Sequence, residues 1–252
     1  YNTNLSNDIY FVSYTPTQNF FDTIGKTRRR GIETGITGKY DKFDFKLNYS
    51  LTDATFESNA DIANSSNSSV DIDPTQSDYA MEHIKPGDRM PGIPLNNINA
   101  SFGYLITDKW HVGMNVVAHG ESYARGNENN EHQVGTKSYV DTVTDPGNPI
   151  TMVKNFTTNG KNGGYAVFNF STSYDIGHGW SATLLLNNVF DKTYYSASRL
   201  GINPFSPSIN GAIGVSGYNY NSNDWQNTNF VAPGAPRAAW ISVRYEFDVD
   251  KK

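Results

Sequence analysis

Along the chain the clearest signal is a strict alternation of apolar and polar side chains. From Ala166 to Ile176 the even positions are Ala166, Phe168, Phe170, Thr172, Tyr174 and Ile176, and the odd ones are Val167, Asn169, Ser171, Ser173 and Asp175. Trp110, Val112, Met114, Val116 and Ala118 alternate with His111, Gly113, Asn115 and Val117, and His119 and Glu121 continue the second set. Phe43, Phe45, Leu47, Tyr49 and Leu51 alternate with Asp44, Lys46, Asn48 and Ser50. Ala239, Ile241, Val243, Tyr245 and Phe247 alternate with Trp240, Ser242, Arg244 and Glu246. Successive strand side chains point to opposite faces, so a period of two predicts strands with one apolar face. Weaker alternation runs over Ile32–Tyr40, Asn97–Ile106 and Trp180–Phe190, the last losing phase near Asn187. Asp8–Tyr14 reads as a further strand with two similar faces, which makes about eight.

A soluble β-sandwich also alternates on its inner faces. Here, however, the polar face carries Lys, Arg, Glu, Asp and His, while the apolar face stays apolar over a membrane-crossing length. The connections also alternate in length. Short turns fall at Tyr40–Lys42, Thr107–Lys109 and Gly177–Gly179. Long loops fall at about 58–90, 124–163 and 192–235, with a shorter one near 15–28. That arrangement puts every long loop at one end, as in outer-membrane barrels. Tyr40, Phe43, Tyr104, Trp110, Tyr174 and Trp180 flank the short turns, with Tyr245 and Phe247 at the closing end, as an interfacial aromatic girdle requires. The fold class expected is all-β, an antiparallel transmembrane β-barrel.

Composition fits this reading. The chain has 252 residues, 13% of them aromatic, with a modest apolar content. No apolar run approaches the roughly 20 residues of a membrane-spanning helix, which leaves strand crossing untouched. There is no cysteine, hence no disulfide and no thiolate metal site. The net charge of −5 argues against a nucleic-acid partner. Tyr1–Asn7 has neither the basic start nor the apolar core of a signal peptide. An outer-membrane chain must be exported, so the start of the gene product is expected to be missing.

Certain segments are also familiar as motifs. Asn188-Val189-Phe190-Asp191-Lys192-Thr193-Tyr194-Tyr195 resembles the N-L-F-D-K-x-Y segment on the penultimate strand of TonB-dependent outer-membrane receptors. Pro236-Arg237 followed by Ala239–Phe247 is similar to that family's last strand, Gly31-Ile32-Glu33 to its G-x-E strand entry, and Pro91-Gly92-Ile93-Pro94 to its upstream pattern. Family members usually end on the last-strand aromatic, whereas Phe247 is followed by Asp248-Val249-Asp250-Lys251-Lys252. The resemblance implies that residues 1–252 are about eight C-terminal strands of a 22-strand barrel, with the plug domain and the TonB-box segment absent. It further implies active import of a scarce ligand, of the siderophore, corrinoid or oligosaccharide class, with energy coupled through TonB. Outer-membrane lipid, lipopolysaccharide, and the rest of the same receptor are the expected partners. The competing expectation is a complete small eight-stranded barrel acting as an anchor or adhesin.

Candidate chemistry is sparse. His111, Asn115, His119, Glu121, Asn169, Ser171 and Arg244 are expected to face the lumen. At about 3.3 Å per residue His111 and His119 lie roughly 26 Å apart and cannot share a metal, whereas His119 and Glu121, roughly 7 Å apart, could form a water-linked pair. No adjoining nucleophile and base are found, so neither an enzyme nor a cofactor is expected. Asp71-Ile72-Asp73 begins like a calcium loop but Pro74 breaks it. Asn127–Glu131 offers oxygen ligands on a loop and is read as solvated loop rather than an ion site, and Asn64–Ser69 as a mobile low-complexity tract. Lys26, Arg28, Arg29 and Arg30 form a basic cluster suited to lipopolysaccharide phosphates or an anionic ligand. Tyr79, Tyr139, Tyr218, Tyr220 and Trp225 are the loop candidates for ligand stacking. A protease applied to whole cells is expected to cut within 58–90, 124–163 and 192–235 and to spare the turns at Tyr40–Lys42 and Gly177–Gly179. Cleavage confined to those turns would reverse the orientation.

Overall fold

The computed structural model describes residues 1–15, 18–208 and 211–247. The segment Asp248–Lys252 that follows Phe247 lies outside them. Eight strands form one antiparallel sheet in sequence order: β1 (Asn2–Leu5), β2 (Thr27–Tyr40), β3 (Phe43–Phe56), β4 (Asn96–Thr107), β5 (Trp110–His119), β6 (Tyr165–Gly177), β7 (Trp180–Asn187) and β8 (Ala238–Tyr245). Among the described residues no ladder joins β1 to β8, so the sheet is open at both edges.

Register carries the alternation across the whole sheet. Gly38, Phe45, Phe102, Met114, Phe170, Leu186 and Ala239 are successive partners in one row. The neighbouring row, on the opposite face, reads Thr37, Lys46, Ser101, Asn115 and Asn169. A slip of one residue in any strand would put a polar row among apolar neighbours, so the two-faced pattern fixes the pairing. Gly38 interrupts the apolar row, but the ring of Phe45 covers it, with Cε1 2.5 Å from where a β-carbon would sit. The polar face is not uniformly polar: Val117 pairs with Val167, and Leu185 with Trp240.

The tight connections are as short as the spacing required. In the turn between β6 and β7, Gly177, His178 and Gly179 all have positive φ, the region that glycine enters without a steric penalty. Beside these turns Trp110 donates from Nε1 to Thr172 Oγ1 at 2.8 Å, and the rings of Trp180 and Tyr245 lie 4.7 Å apart. The aromatic girdle is thus braced across strands.

The apolar core lies among the loops rather than in the wall. Tyr10, Val12, Ile24, Phe56, Ile62, Ile84 and Met90 pack together where the 6–26 and 57–95 connections meet the end of β3. This corrects the placement of Asp8–Tyr14 as a wall strand. Ile9–Thr15 pairs with Gln18–Thr23 in a hairpin, and the first wall strand is Asn2–Leu5, too short for its alternation to show. Although the two faces are alike in composition, their surroundings differ: Tyr10 and Val12 enter the loop core while Ile9 remains exposed. The connections 120–164 and 188–237 build a second sheet of Gly135–Asp141, Ile150–Phe156, Gln226–Pro233 and Tyr195–Asn203, joined through Phe156 and Asn227.

Register predicts the cost of a misplaced charge. With the apolar face toward lipid, Val116→Arg or Phe170→Arg near mid-membrane should destabilise the full-length protein by about 2–4 kcal/mol. Denaturant unfolding in lipid vesicles measures this. Tolerance at Val116 together with loss at Asn115→Arg would invert the facing.

Candidate functional site

The long loops and the upper polar face of the sheet form the candidate ligand-binding region. On that face a chain of amides crosses the wall. Asn115 donates from Nδ2 to Asn99 Oδ1 at 3.2 Å, Asn169 donates to Asn115 Oδ1 at 3.3 Å, and the Asn188 backbone N–H donates to Asn169 Oδ1 at 3.0 Å. Asparagine suits this role because one side chain both donates and accepts. His119 Nδ1 lies 2.6 Å from Asn97 Oδ1, and its ring meets Tyr165 edge-on. A cleft of about 440 Å³ opens beside it, lined by Glu33, Gly35, Asn48, Asn99 and Val117 among others.

Of the expected lumenal set, His111, Asn115, His119, Asn169, Ser171 and Arg244 share this face by register. Their partners are local. His111 lies 3.7 Å from Asp44, and Arg244 pairs with Glu246 at 2.9 Å. Glu121 lies beyond the end of β5 and binds Lys161 at 2.8 Å, so the structure does not pair it with His119.

The familiar segment after β7 is a staple. Asn188, almost wholly buried with φ +49, donates from Nδ2 to the carbonyls of Lys192 and Ala235 and accepts the Lys192 N–H on Oδ1. Asp191 Oδ1 accepts the Arg237 N–H. The segment closes the turn leaving β7 and ties it to the entry of β8.

The loop aromatics divide into two groups. Tyr218 contacts Tyr220, Trp225 and Phe205 through edge-on ring pairs, and Trp225 donates from Nε1 to the carbonyl of the buried Asn219. Tyr79 lies under Lys154 Nζ at 5.7 Å. Burial, then the charges of Asp141 and Tyr79, push the Tyr139 hydroxyl above its ordinary value.

The arginines of the basic cluster are neutralised within the chain, Arg28 by Glu57, Arg29 by Asp8 and Arg30 by Asp53, each at 2.9 Å, while Lys26 forms no ion pair among the described residues. The cluster is therefore not the open basic patch its spacing suggested.

A buried polar knot was not legible in the sequence. Asn127, Glu128 and Asn129 are buried rather than solvated, and Asn67, in the tract expected to be mobile, is fully buried. Asn67 donates to Gly126 O and Asn129 Oδ1, Ser68 N–H donates to His132 Nδ1, and Asn127 Nδ2 donates to Gly160 O. Asn64 and the Asn129 N–H donate to Glu82, while the Tyr10 hydroxyl and Gly126 N–H donate to Glu128 Oε1. Contacts spanning some sixty residues of sequence leave no local signature. Asp71 and Asp73 cap their own turns, accepting from the Asp73 and Thr75 N–H groups.

Against known proteins, the family of TonB dependent receptor-like β-barrels matches residues 1–189. The chain belongs to that family, and it is an outer-membrane β-barrel protein. Among solved structures it is similar to the siderophore receptor PiuA of Acinetobacter baumannii (14% identity, TM-score 0.55, 97% of this chain and 25% of that one). It is also similar to the ferric yersiniabactin uptake receptor FyuA of Yersinia pestis (14%, 0.52, 90% and 25%). A third is the ferripyoverdine receptor of Pseudomonas aeruginosa (16%, 0.50, 98% and 24%). The chain thus spans about a quarter of the structures it matches, and at these identities the likeness is one of fold. None of the curated proteins compared with the chain matches it.

The knot has a pH signature. Burial raises both Glu82 and Glu128 above the usual carboxylate value of 4.5, and the charge of Glu128 adds to the rise at Glu82. A raised carboxylate binds its proton more tightly folded than unfolded, so stability is full below about pH 4.5 and declines as pH rises through the folded-state value. Amide protection at Gly126 and Asn129, measured by hydrogen exchange, should therefore fall as pH rises from 4.5. Protection that rises over this range would mean that both acids are charged in the folded loops.

Proposed function

We propose that this chain is the C-terminal wall segment of an outer-membrane receptor that imports a scarce ligand with energy relayed through TonB. The observation that carries the reading is the open eight-stranded sheet of this family's barrel, bearing at one end a single folded loop body. A small closed barrel acting as an anchor or adhesin would join β1 to β8, and no such ladder is present among the described residues. Open edges within a bilayer leave backbone groups unpaired at several kcal/mol each, so β1 and β8 require strands of the same receptor beyond this segment. The apolar face is set against lipid, and the face with His111, Asn115, His119, Asn169, Ser171 and Arg244 lines a hydrated lumen occupied by the plug. Lipopolysaccharide meets the outer rim of the wall.

In this reading the loops, with Tyr79, Tyr139, Tyr218, Tyr220 and Trp225, capture ligand, and TonB acts through the plug and the energy-coupling segment. No catalytic step is assigned to the chain. The similar structures are described as receptors for a siderophore, ferripyoverdine and ferric yersiniabactin, which favours an iron chelate over a corrinoid or an oligosaccharide. Cells expressing the full-length gene should accumulate radioiron supplied in the spent medium of iron-starved cultures of the source bacterium. Deletion of the gene or loss of TonB should abolish uptake. Uptake that persists without TonB would exclude energy coupling by this route.

A further inference from the structure

A cavity of about 450 Å³ opens among the loops, apart from the cleft on the wall. Arg125, Arg199 and Glu128 line it, with Phe11 and Phe230. The arginines are held side by side by backbone alone: Arg125 N–H donates to Ser198 O at 3.0 Å, and Leu200 N–H donates to Arg125 O at 2.7 Å. Gly126, with φ +91, lets the two segments approach this closely, since a β-carbon there would lie 2.9 Å from Leu200 Cβ.

The bridge makes Arg125 and Arg199 neighbours across two segments, and like charges so placed repel. Of the other arginines, Arg28, Arg29, Arg30, Arg237 and Arg244 each have a carboxylate partner, and Arg89 lies over the Tyr123 ring and donates to the Ile93 carbonyl. Arg125 and Arg199 form no such pair among the described residues and stand exposed at the cavity. The second observation concerns Glu128, a buried carboxylate on which the charge of Arg125 acts. Glu128 is 5% exposed, its Oε1 accepts from Tyr10 and Gly126, and its Oε2 is buried with no hydrogen-bond partner. A buried acceptor left unsatisfied is uncommon and costly, and here it belongs to a residue that lines the cavity.

We propose that this cavity binds a small anion carrying a hydroxyl donor, its carboxylate held by Arg125 and Arg199 and its hydroxyl donated to Glu128 Oε2. Planar guanidinium groups match a carboxylate through paired N–H donors, and the rings of Phe11 and Phe230 cover its apolar part. The inference deepens the import reading, on which it rests, by giving the cargo a charge and a donor.

The test uses the full-length receptor purified in detergent and titrated calorimetrically. Citrate is the probe, tricarballylate supplies the same carboxylates without the hydroxyl, and maltoheptaose is a neutral polyol. Arg125→Gln and Arg199→Gln should each weaken citrate by about tenfold or more. Tricarballylate should bind the unaltered receptor more weakly than citrate, a comparison that reads the Glu128 contact without replacing a buried residue. No citrate binding, citrate binding unchanged in both arginine variants, or equal affinity for maltoheptaose overturns the proposal. Lipopolysaccharide binding that is lost in the same variants, with no citrate binding, assigns the arginines to the membrane surface and overturns it as well. TonB takes no part in the titration. Loss of TonB-dependent uptake with citrate binding intact therefore strikes the import reading and leaves the anion site standing.

Discussion

Everything in this structure depends on the pairing of backbone N–H and C=O groups between neighbouring strands. Hydrocarbon offers no water to replace a missing partner, so a wall strand is stable only when a neighbour satisfies it on each side. The ladders between β2 and β8 meet that demand inside the sheet, while β1 pairs only with Thr27–Arg30 of β2. Register follows from the ladders, and facing follows from register: once Phe102 is opposite Met114, Ser101 is opposite Asn115 on the other side. The edges of the sheet are where that demand is still unmet among the described residues.

The same constraint moves the hydrophobic core. A wall one side-chain layer thick has no interior in which to bury Phe56 or Ile84, and these residues pack instead where the loops gather. The loop body is held as much by amides as by apolar contact. Asn64, Asn67, Asn127 and Asn219 satisfy backbone carbonyls that have no ladder of their own. The result is a firm platform at one end of the wall, with the cavity of Arg125 and Arg199 set into it rather than hung from mobile segments.

Charge placement follows the same economy of partners. The three consecutive arginines at the start of β2 look like a basic patch in the sequence, but Asp8 reaches them from the first connection, and Asp53 and Glu57 from the end of β3 and the residue after it. Arg125 and Arg199 are seventy-odd residues apart in the sequence and gain their meaning only from a backbone bridge that places them together.

The sequence by itself determined the wall. Seven of its eight strands, the three tight turns, the positions of the long loops and the shared face of His111, Asn115, His119, Asn169, Ser171 and Arg244 could all be read from a period of two, because strand geometry turns local spacing directly into facing. The Asn188–Tyr195 segment was legible as a motif, although its hydrogen bonds reach Asn169, Ala235 and Arg237 as well as Lys192. Only the tertiary structure decided that Asp8–Tyr14 belongs to a loop hairpin, that the Asn64–Ser69 and Asn127–Glu131 stretches form a buried knot, and that Glu121 binds Lys161 instead of His119. Those outcomes rest on contacts between loops distant in sequence, where no periodicity ties residue identity to neighbour. Alternation encodes the side of a sheet on which a residue lies. What it meets beyond the sheet is set by how the loops fold over one another.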